Sequence, residues 1–362
     1  MISLDQLIRF VLDLAPWVAA YLVISLSLNL EYGFGGIPNF GKVLCVSGGA
    51  FLVGAIPGQL IAALYNLGEG LNYFDNHAQI MPKINDVLAR DPILSTALLI
   101  FTLIATMLVG AGLGLVSSIP SVRLREEYLA MTLLAMGEIL ILIGDNYKSL
   151  IGGTLGVFVP SFLGWIPVPT RSYVLTALLV GIAVLVFIFV ELLTKSPYGR
   201  LLKSIRDDEV LAQALGRDVV SVKRKTIILA GALAGLAGAM LALTTGAVNA
   251  KNYSRANHTF IPWVMVLVGG AANNWGTALG VIVFMASSRL IDVFKRELQL
   301  YLPFDVVWLT PLLLSTTLLI VMFFRPGGII PESRAQTLKP EELDSLKTGL
   351  RQHPDRTREL KA

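Results

Sequence analysis

Charged residues are scarce in this chain of 362 residues, since Asp, Glu, Lys and Arg together make up 15% against about 25% in soluble domains. Hydrophobic residues make up 54%, and the mean hydropathy is +0.69. So few charges could not cover the surface of a soluble protein of this size, which excludes an ordinary soluble enzyme and a disordered chain. Cys45 is the single cysteine, which excludes an intramolecular disulfide.

Residues that carry catalysis or bind metals are also few. The three histidines, His77, His258 and His353, lie far apart and do not form metal-ligand spacing. The stretch from Gly36 to Lys42 fits the first seven positions of a phosphate-binding loop. The eighth position should be Ser or Thr but is Val43. We therefore predict no enzyme activity, no cofactor, no metal site and no nucleic-acid partner.

Long apolar runs dominate the rest of the sequence, and a membrane-crossing helix needs about 20 such residues. They predict an all-α, polytopic helical membrane protein with about eight spans plus a broken or re-entrant helix pair. Apolar spans lie near residues 14–33, 41–64, 93–117, 127–144, 172–193, 226–247 and 305–324. Residues 1–13 are amphipathic and predict a short interfacial helix before the first span.

The apolar stretch 260–288 is interrupted by Gly269-Gly270 and by Asn273-Asn274-Trp275-Gly276. It is long for one helix and short for two full ones, so we predict two half-helices with a break at membrane depth. The alternative is a kinked single span together with one missed crossing. In the broken form both ends of the stretch lie on the same side of the membrane.

Basic residues indicate the orientation. Segment 194–225 contains eight of them, and the C-terminal stretch 325–362 contains eight more. With both segments in the cytoplasm, the N-terminus faces outward and the C-terminus inward. We predict a transmembrane domain over 1–331 and a charged, disordered cytoplasmic tail over 332–362.

Two features within or between the spans are candidates for a pathway or a gate. Glu138 lies inside the span 127–144, where a charge must face protein or water; we favour a structural role over a proton relay. The outer connection 145–171 is itself apolar and contains the cluster Gly152, Gly153, Thr154 and Gly156. This cluster could equally cover a pathway or simply pack against the protein.

The inner segment 194–225 predicts a docking element for a cytoplasmic partner. Ser196-Pro197 predicts a turn, 198–215 predicts a helix with apolar residues on one side, and Gly216 is a plausible helix stop. Its charges have both signs, which argues against simple attraction to lipid. A solvated amphipathic hairpin is the alternative.

Six motifs in order resemble those of the permease subunits of branched-chain amino acid ABC importers, of the LivM type. The first starts at Gly36 and continues with Gly48-Gly-Ala-Phe51, and the others start at Tyr128, Gly152, Ser196, Gly269 and Arg325. The inner stretch Ser196–Glu209 with Ala214-Leu-Gly216 is the closest match. The resemblance covers about residues 20–331.

The resemblance implies a subunit in a prokaryotic plasma (inner) membrane that forms half of a transmembrane pathway for branched-chain or related amino acids. Its implied partners are a second permease subunit in a heterodimer, two cytoplasmic ATP-binding subunits, an extracytoplasmic substrate-binding protein and membrane lipid. The coupling surface to the ATP-binding subunits would include Arg200, Arg206, Asp207, Glu209, Leu215 and Gly216. Candidate pathway or gating residues are Asn39, Glu138, Gly152, Gly153, Thr154, Gly156, Asn273 and Asn274.

The chain departs from the family pattern at Asn39 and Lys42, where the family has Ser and His. Lys42 is expected to extend its ammonium group to the inner surface. The insertion 65–92 is polar and longer than is usual in the family. Two other functions stay open: the same ABC class carrying urea, short amides or nucleosides, and a secondary transporter driven by an ion gradient.

Overall fold

A computed structural model describes residues 4–67, 72–168, 170–301, 305–325 and 327–332. The predicted tail lies outside these residues, apart from its first residue. In chain order the helices and strands are α1 (Leu4–Leu28), α2 (Lys42–Leu64), α3 (Tyr73–Arg90), α4 (Pro92–Arg123), α5 (Glu126–Asn146), α6 (Lys148–Ile151), β1 (Val157–Phe158), α7 (Thr170–Lys195), α8 (Pro197–Asp207), α9 (Glu209–Ala214), α10 (Val219–Thr245), β2 (Ala247–Val248), α11 (Ile261–Gly269), α12 (Asn274–Tyr301) and α13 (Leu309–Phe324). Short π-helical turns at Asn29–Phe34 and Ala256–Phe260 continue α1 and precede α11.

Seven helices of the described chain are long and apolar enough to cross a membrane, which confirms an all-α polytopic membrane protein. Six coincide with predicted spans, and the seventh is Asn274–Lys295. The predicted span 305–324 forms α13, whose 16 residues extend about 24 Å, less than the roughly 30 Å of a bilayer core. A separate N-terminal interfacial helix was wrongly predicted. Helix α1 instead runs from Leu4 to Leu28, because its apolar face continues through Pro16 into the span.

The centre of the fold is α10, which packs against α4, α2 and α1. Small residues allow this packing, because Gly110 and Gly114 of α4 face Gly231 and Gly235 of α10. A Cβ atom placed on Gly231 would lie 2.5 Å from the carbonyl oxygen of Gly110. The backbones of α4 and α10 therefore approach each other closely at these four glycines.

The break in the last apolar stretch is confirmed. Helix α11 ends at Gly269 and α12 begins at Asn274. The two helices run antiparallel, with Gly269 against Gly276 and Met265 against Gly280, so the chain returns toward the end from which it came. The prediction of two half-helices is wrong for the second one, because the apolar run of α12 continues past residue 288 and the helix spans 28 residues.

Connections between the helices meet at both ends of the bundle. The chain after α13 hydrogen-bonds to the end of α11, through Ile329 N to Val268 O at 2.9 Å and Ile330 N to Gly269 O at 3.0 Å. At the other end of the bundle β1 pairs antiparallel with β2. Helix α3, formed by the polar insertion, packs against β1 there through a buried face that includes Ile80 and Ile84.

Candidate functional site

The inner segment forms two short helices, not the single helix predicted over 198–215. Helix α8 begins at Pro197, and Ser196 caps it by accepting a hydrogen bond from the backbone of Tyr198. Asp208 ends it in an extended conformation and caps α9 through a 2.9 Å hydrogen bond from the backbone of Leu211. Gly216 then has a φ of +77°, which ends α9 as the sequence predicted.

A groove of about 660 Å³ lies between α8 and α9. Leu211 and Leu215 line it, although their side chains are 57% and 73% exposed. Arg200, Ser204 and Arg217 add polar groups to the same groove. An exposed apolar groove with a charged border is typical of a site that binds a helix of another protein.

The predicted coupling residues differ in their surroundings. Arg200 and Asp207 are exposed, and Glu209 forms a 2.6 Å ion pair with Lys223 of α10. Arg206 points toward the bundle, where its Nη1 donates a 2.7 Å hydrogen bond to the carbonyl oxygen of Gly33. It also pairs with Asp207 at 3.0 Å. Arg206 therefore connects α8 to the turn that follows α1.

A buried ion pair that the sequence did not predict joins that turn to the first residue of α2. Lys42 Nζ lies 2.7 Å from Glu31 Oε2, and neither side chain has exposed surface. The expectation that Lys42 reaches the inner surface was wrong, because its partner lies in the π-helical turn directly after α1. The second oxygen of Glu31 has no hydrogen-bond partner within the described residues.

Asn39 stabilises the same connection and is also buried. Its Oδ1 accepts a 2.9 Å hydrogen bond from the backbone of Gly41, at the start of α2. Its carbonyl oxygen accepts a 3.1 Å hydrogen bond from Trp263 Nε1 in α11. This predicted site residue therefore links the first connection to the broken hairpin.

The break between α11 and α12 carries a second polar cluster. Asn274 is buried, and its Oδ1 accepts a 3.0 Å hydrogen bond from Asn29 Nδ2. Its amide nitrogen donates to Glu191 Oε2 at 2.8 Å and to Thr194 Oγ1 at 3.0 Å. Neither Asn29 nor Glu191 was singled out from the sequence, although a polar residue at each end of an apolar run was the available signal.

Asn273, the other predicted residue at the break, has a different role. It accepts a 3.1 Å hydrogen bond from the backbone of Gly276, and its amide donates to the carbonyl oxygen of Pro331 at 3.1 Å. The side chain thus stabilises the start of α12 and holds the chain that follows α13.

Glu138 and the glycine cluster lie elsewhere in the molecule. Glu138 is half-buried on α5, and within the described residues no hydrogen bond or ion pair involves its carboxylate. Gly152, Gly153 and Gly156 all have positive φ and form the turn that leads into β1. The carbonyl oxygen of Thr154 accepts a 2.9 Å hydrogen bond from Asn249, just after β2. The structure does not bring these residues together with the polar cluster at the break.

Within the described part of the chain, no group of three His, Cys, Asp or Glu side chains is arranged to hold a metal ion. The fold and the site together define a polytopic helical membrane protein with an exposed, partly apolar groove at one end.

Comparison with known proteins identifies the family. A model described as "Branched-chain amino acid transport system / permease component" matches residues 10–322, so the chain belongs to this family of permease components. A relative from Methanocaldococcus jannaschii, named probable branched-chain amino acid transport permease protein LivM, is 36% identical over 87% of this chain and 92% of its own length.

More distant relatives carry a similar name. The high-affinity branched-chain amino acid transport system permease proteins LivM of Salmonella typhimurium and Escherichia coli are 24% and 25% identical. The matches cover 90% and 91% of this chain, and 71% and 72% of the relatives. No solved structure matches the chain.

Proposed function

We propose that this chain is the permease subunit of an ABC importer and forms half of the transmembrane pathway for branched-chain amino acids. Separate ATP-binding subunits would supply the energy. The observation that carries the proposal is the α8–α9 groove, which is open to a partner. Arg206 of α8 joins this groove to the connection between α1 and α2, because it binds the carbonyl oxygen of Gly33. The names of the relatives support the substrate class.

Docking of an ATP-binding subunit follows from the chemistry of the groove. Leu211 and Leu215 are apolar anchors that a partner helix would cover, and the charges of Arg200 and Asp207 would set its orientation. Glu209 ties α9 to Lys223 of α10, and Gly216 ends α9, so both residues shape the groove. One such subunit would bind here and another on the second permease.

A second permease subunit would cover the exposed apolar helices. Helices α5, α7 and α12 are the least buried of the candidate spans, together with α4. Half-buried Glu138 lies on one of them, and a carboxylate inside a span must face protein or water. A subunit contact or the pathway itself would surround the Glu138 carboxylate with protein or water. Membrane lipid would cover the remaining exposed apolar surface of these helices.

The opposite end of the bundle would face outward and receive the substrate-binding protein. The turn with Gly152, Gly153, Thr154 and Gly156 lies there beside the β1–β2 pair, and neighbouring Leu155 is 85% exposed. This orientation places the N-terminus outside and the C-terminus inside a prokaryotic plasma membrane. In the pathway, Asn39, Asn273 and Asn274 would act as gating residues at the inner end.

Charge reversal at Arg206 tests the proposal. Glutamate at this position cannot donate to the carbonyl oxygen of Gly33, so Arg206→Glu should keep ATP hydrolysis and lose uptake of leucine by the reconstituted importer. Asp207→Lys should also uncouple the two, but less strongly, because Asp207 is 67% exposed. Unchanged ATP-driven uptake in both variants would overturn the proposed coupling surface.

A further inference from the structure

Four side chains join three separate elements at the inner end of the bundle. Asn29 lies just after α1, Asn274 at the start of α12, and Glu191 and Thr194 in the last turns of α7. Asn29 Nδ2 donates to Asn274 Oδ1 at 3.0 Å, and Asn274 Nδ2 donates to Glu191 Oε2 at 2.8 Å and Thr194 Oγ1 at 3.0 Å. We call this set the polar junction.

The junction satisfies the amide group of Asn274. Its carbonyl oxygen has a donor, and each of its two N–H groups has an acceptor. Asn29 and Asn274 have 0% and 2% exposed surface, so water cannot replace a lost partner. A buried network of this kind holds its elements in one arrangement and resists separate movement of any one of them.

Asn29 also holds the break itself. Its Oδ1 accepts a 2.9 Å hydrogen bond from the backbone of Ala272, whose φ is +59°. This left-handed conformation is unfavourable for alanine and persists where the surroundings impose it. The geometry of the break therefore depends on the position of α1.

Both ends of α8 are connected to this junction. Its N-terminal end follows α7 after Ser196, two residues beyond Thr194. Near its C-terminal end, Arg206 binds the carbonyl oxygen of Gly33, four residues after Asn29. A displacement of α8 must accordingly move Glu191 and Thr194, or Gly33, or both.

We propose that Asn274 is a positioning residue that transmits the movement of α8 to the break between α11 and α12. This inference rests on the proposed function, in which ATP-binding subunits move α8. Through the junction, that movement changes the position of the broken hairpin, and the hairpin opens or closes the inner end of the pathway. Coupling of this kind needs a physically connected set of contacts, which the junction provides.

The proposal is tested in the complete importer, reconstituted in vesicles with its binding protein. The measured quantity is the ratio of ATP hydrolysed to leucine transported. Asn274→Ala and Asn29→Ala should raise this ratio at least fivefold while the subunits still assemble. Glu191→Ala should raise it as well, whereas Glu191→Gln should keep it within twofold of the unsubstituted importer, because glutamine retains an oxygen that accepts from Asn274. Asn146→Ala is a matched amide removal on α5, because among the described residues this side chain bonds only to its own helix, and it should leave the ratio unchanged.

A merely structural role gives a different pattern. Lower assembly, or parallel loss of hydrolysis and uptake with an unchanged ratio in the Asn274 and Asn29 variants, would overturn the inference. The double variant Asn29→Ala, Asn274→Ala should raise the ratio by less than the product of the two single effects, since the two side chains share one hydrogen bond. If the unsubstituted importer takes up no leucine with ATP, the proposed function has failed; if only the ratios are unchanged, the junction alone has failed.

Discussion

Lys42 Nζ and Glu31 Oε2 lie 2.7 Å apart in the protein interior, with no exposed surface on either side chain. The pair closes the connection between α1 and α2, from the π-helical turn to the first residue of α2. Gly33, which accepts the hydrogen bond from Arg206, lies inside this closed connection. The ion pair therefore holds the surface on which the docking segment rests.

Removal of one partner should be costly. Lys42→Met leaves the Glu31 carboxylate buried without its ion partner, which we expect to destabilise the protein by about 3–5 kcal/mol. The change in stability is measured by thermal unfolding of the purified protein, with size-exclusion chromatography as the readout of folded protein. Arg289→Met is the control, because Arg289 and its partner Asp13 are 39% and 67% exposed and lie 3.8 Å apart, and such surface pairs contribute about 0–1 kcal/mol.

Replacement of both partners should restore much of the stability. The double variant Glu31→Leu, Lys42→Met contains no buried charge, and apolar replacement of a whole buried pair is often neutral or stabilising. We expect its unfolding temperature to exceed that of Lys42→Met. A double variant less stable than either single variant would contradict this expectation, because it would show that the ion pair itself stabilises the protein more than apolar side chains can.

Close packing of α4 against α10 depends on Gly110. A Cβ atom there would lie 2.9 Å from the Cα of Gly235, so Gly110→Ala should cost about 1–3 kcal/mol through overpacking. Gly112→Ala on the same helix is the control, because no atom lies within 4 Å of its Cβ position. Equal unfolding temperatures for the two variants would contradict this helix contact.

At the break, Gly270 combines an unusual backbone with a close contact. Its φ is +122°, and an added Cβ would overlap the carbonyl oxygen of Ile330. Gly270→Ala should therefore reduce the yield of folded protein strongly. Gly246→Ala separates the two causes, because Gly246 has a φ of +68° but open space around it, and we expect a loss of only about 1–2 kcal/mol.

Exposed Leu215 should matter for partner binding and not for folding. Leu215→Glu places a charge in the α8–α9 groove, and we expect at least a tenfold loss of affinity for the ATP-binding subunits, measured by co-purification and by biolayer interferometry in detergent. Leu155→Glu, at the opposite end of the bundle, is the matched control and should bind normally. Similar binding by both variants would exclude the groove as the docking site.

Apolar periodicity and glycine signals predicted most of the fold, including the break after Gly269. The sequence could not show that Lys42 turns inward, because its partner Glu31 lies at the end of the predicted span 14–33 and faces Lys42 only in the π-helical turn that continues α1. The same applies to Asn29 and Glu191, which lie 162 residues apart and meet only through Asn274. Partners of this kind depend on tertiary packing, which spacing along the chain does not record.

ATP-driven uptake by the assembled importer tests the central claim most directly. Vesicles that contain this chain, the second permease and both ATP-binding subunits should accumulate radiolabelled leucine when the binding protein and ATP are supplied, and Leu215→Glu should abolish the accumulation. Accumulation that needs no ATP and follows a proton or sodium gradient would contradict the account.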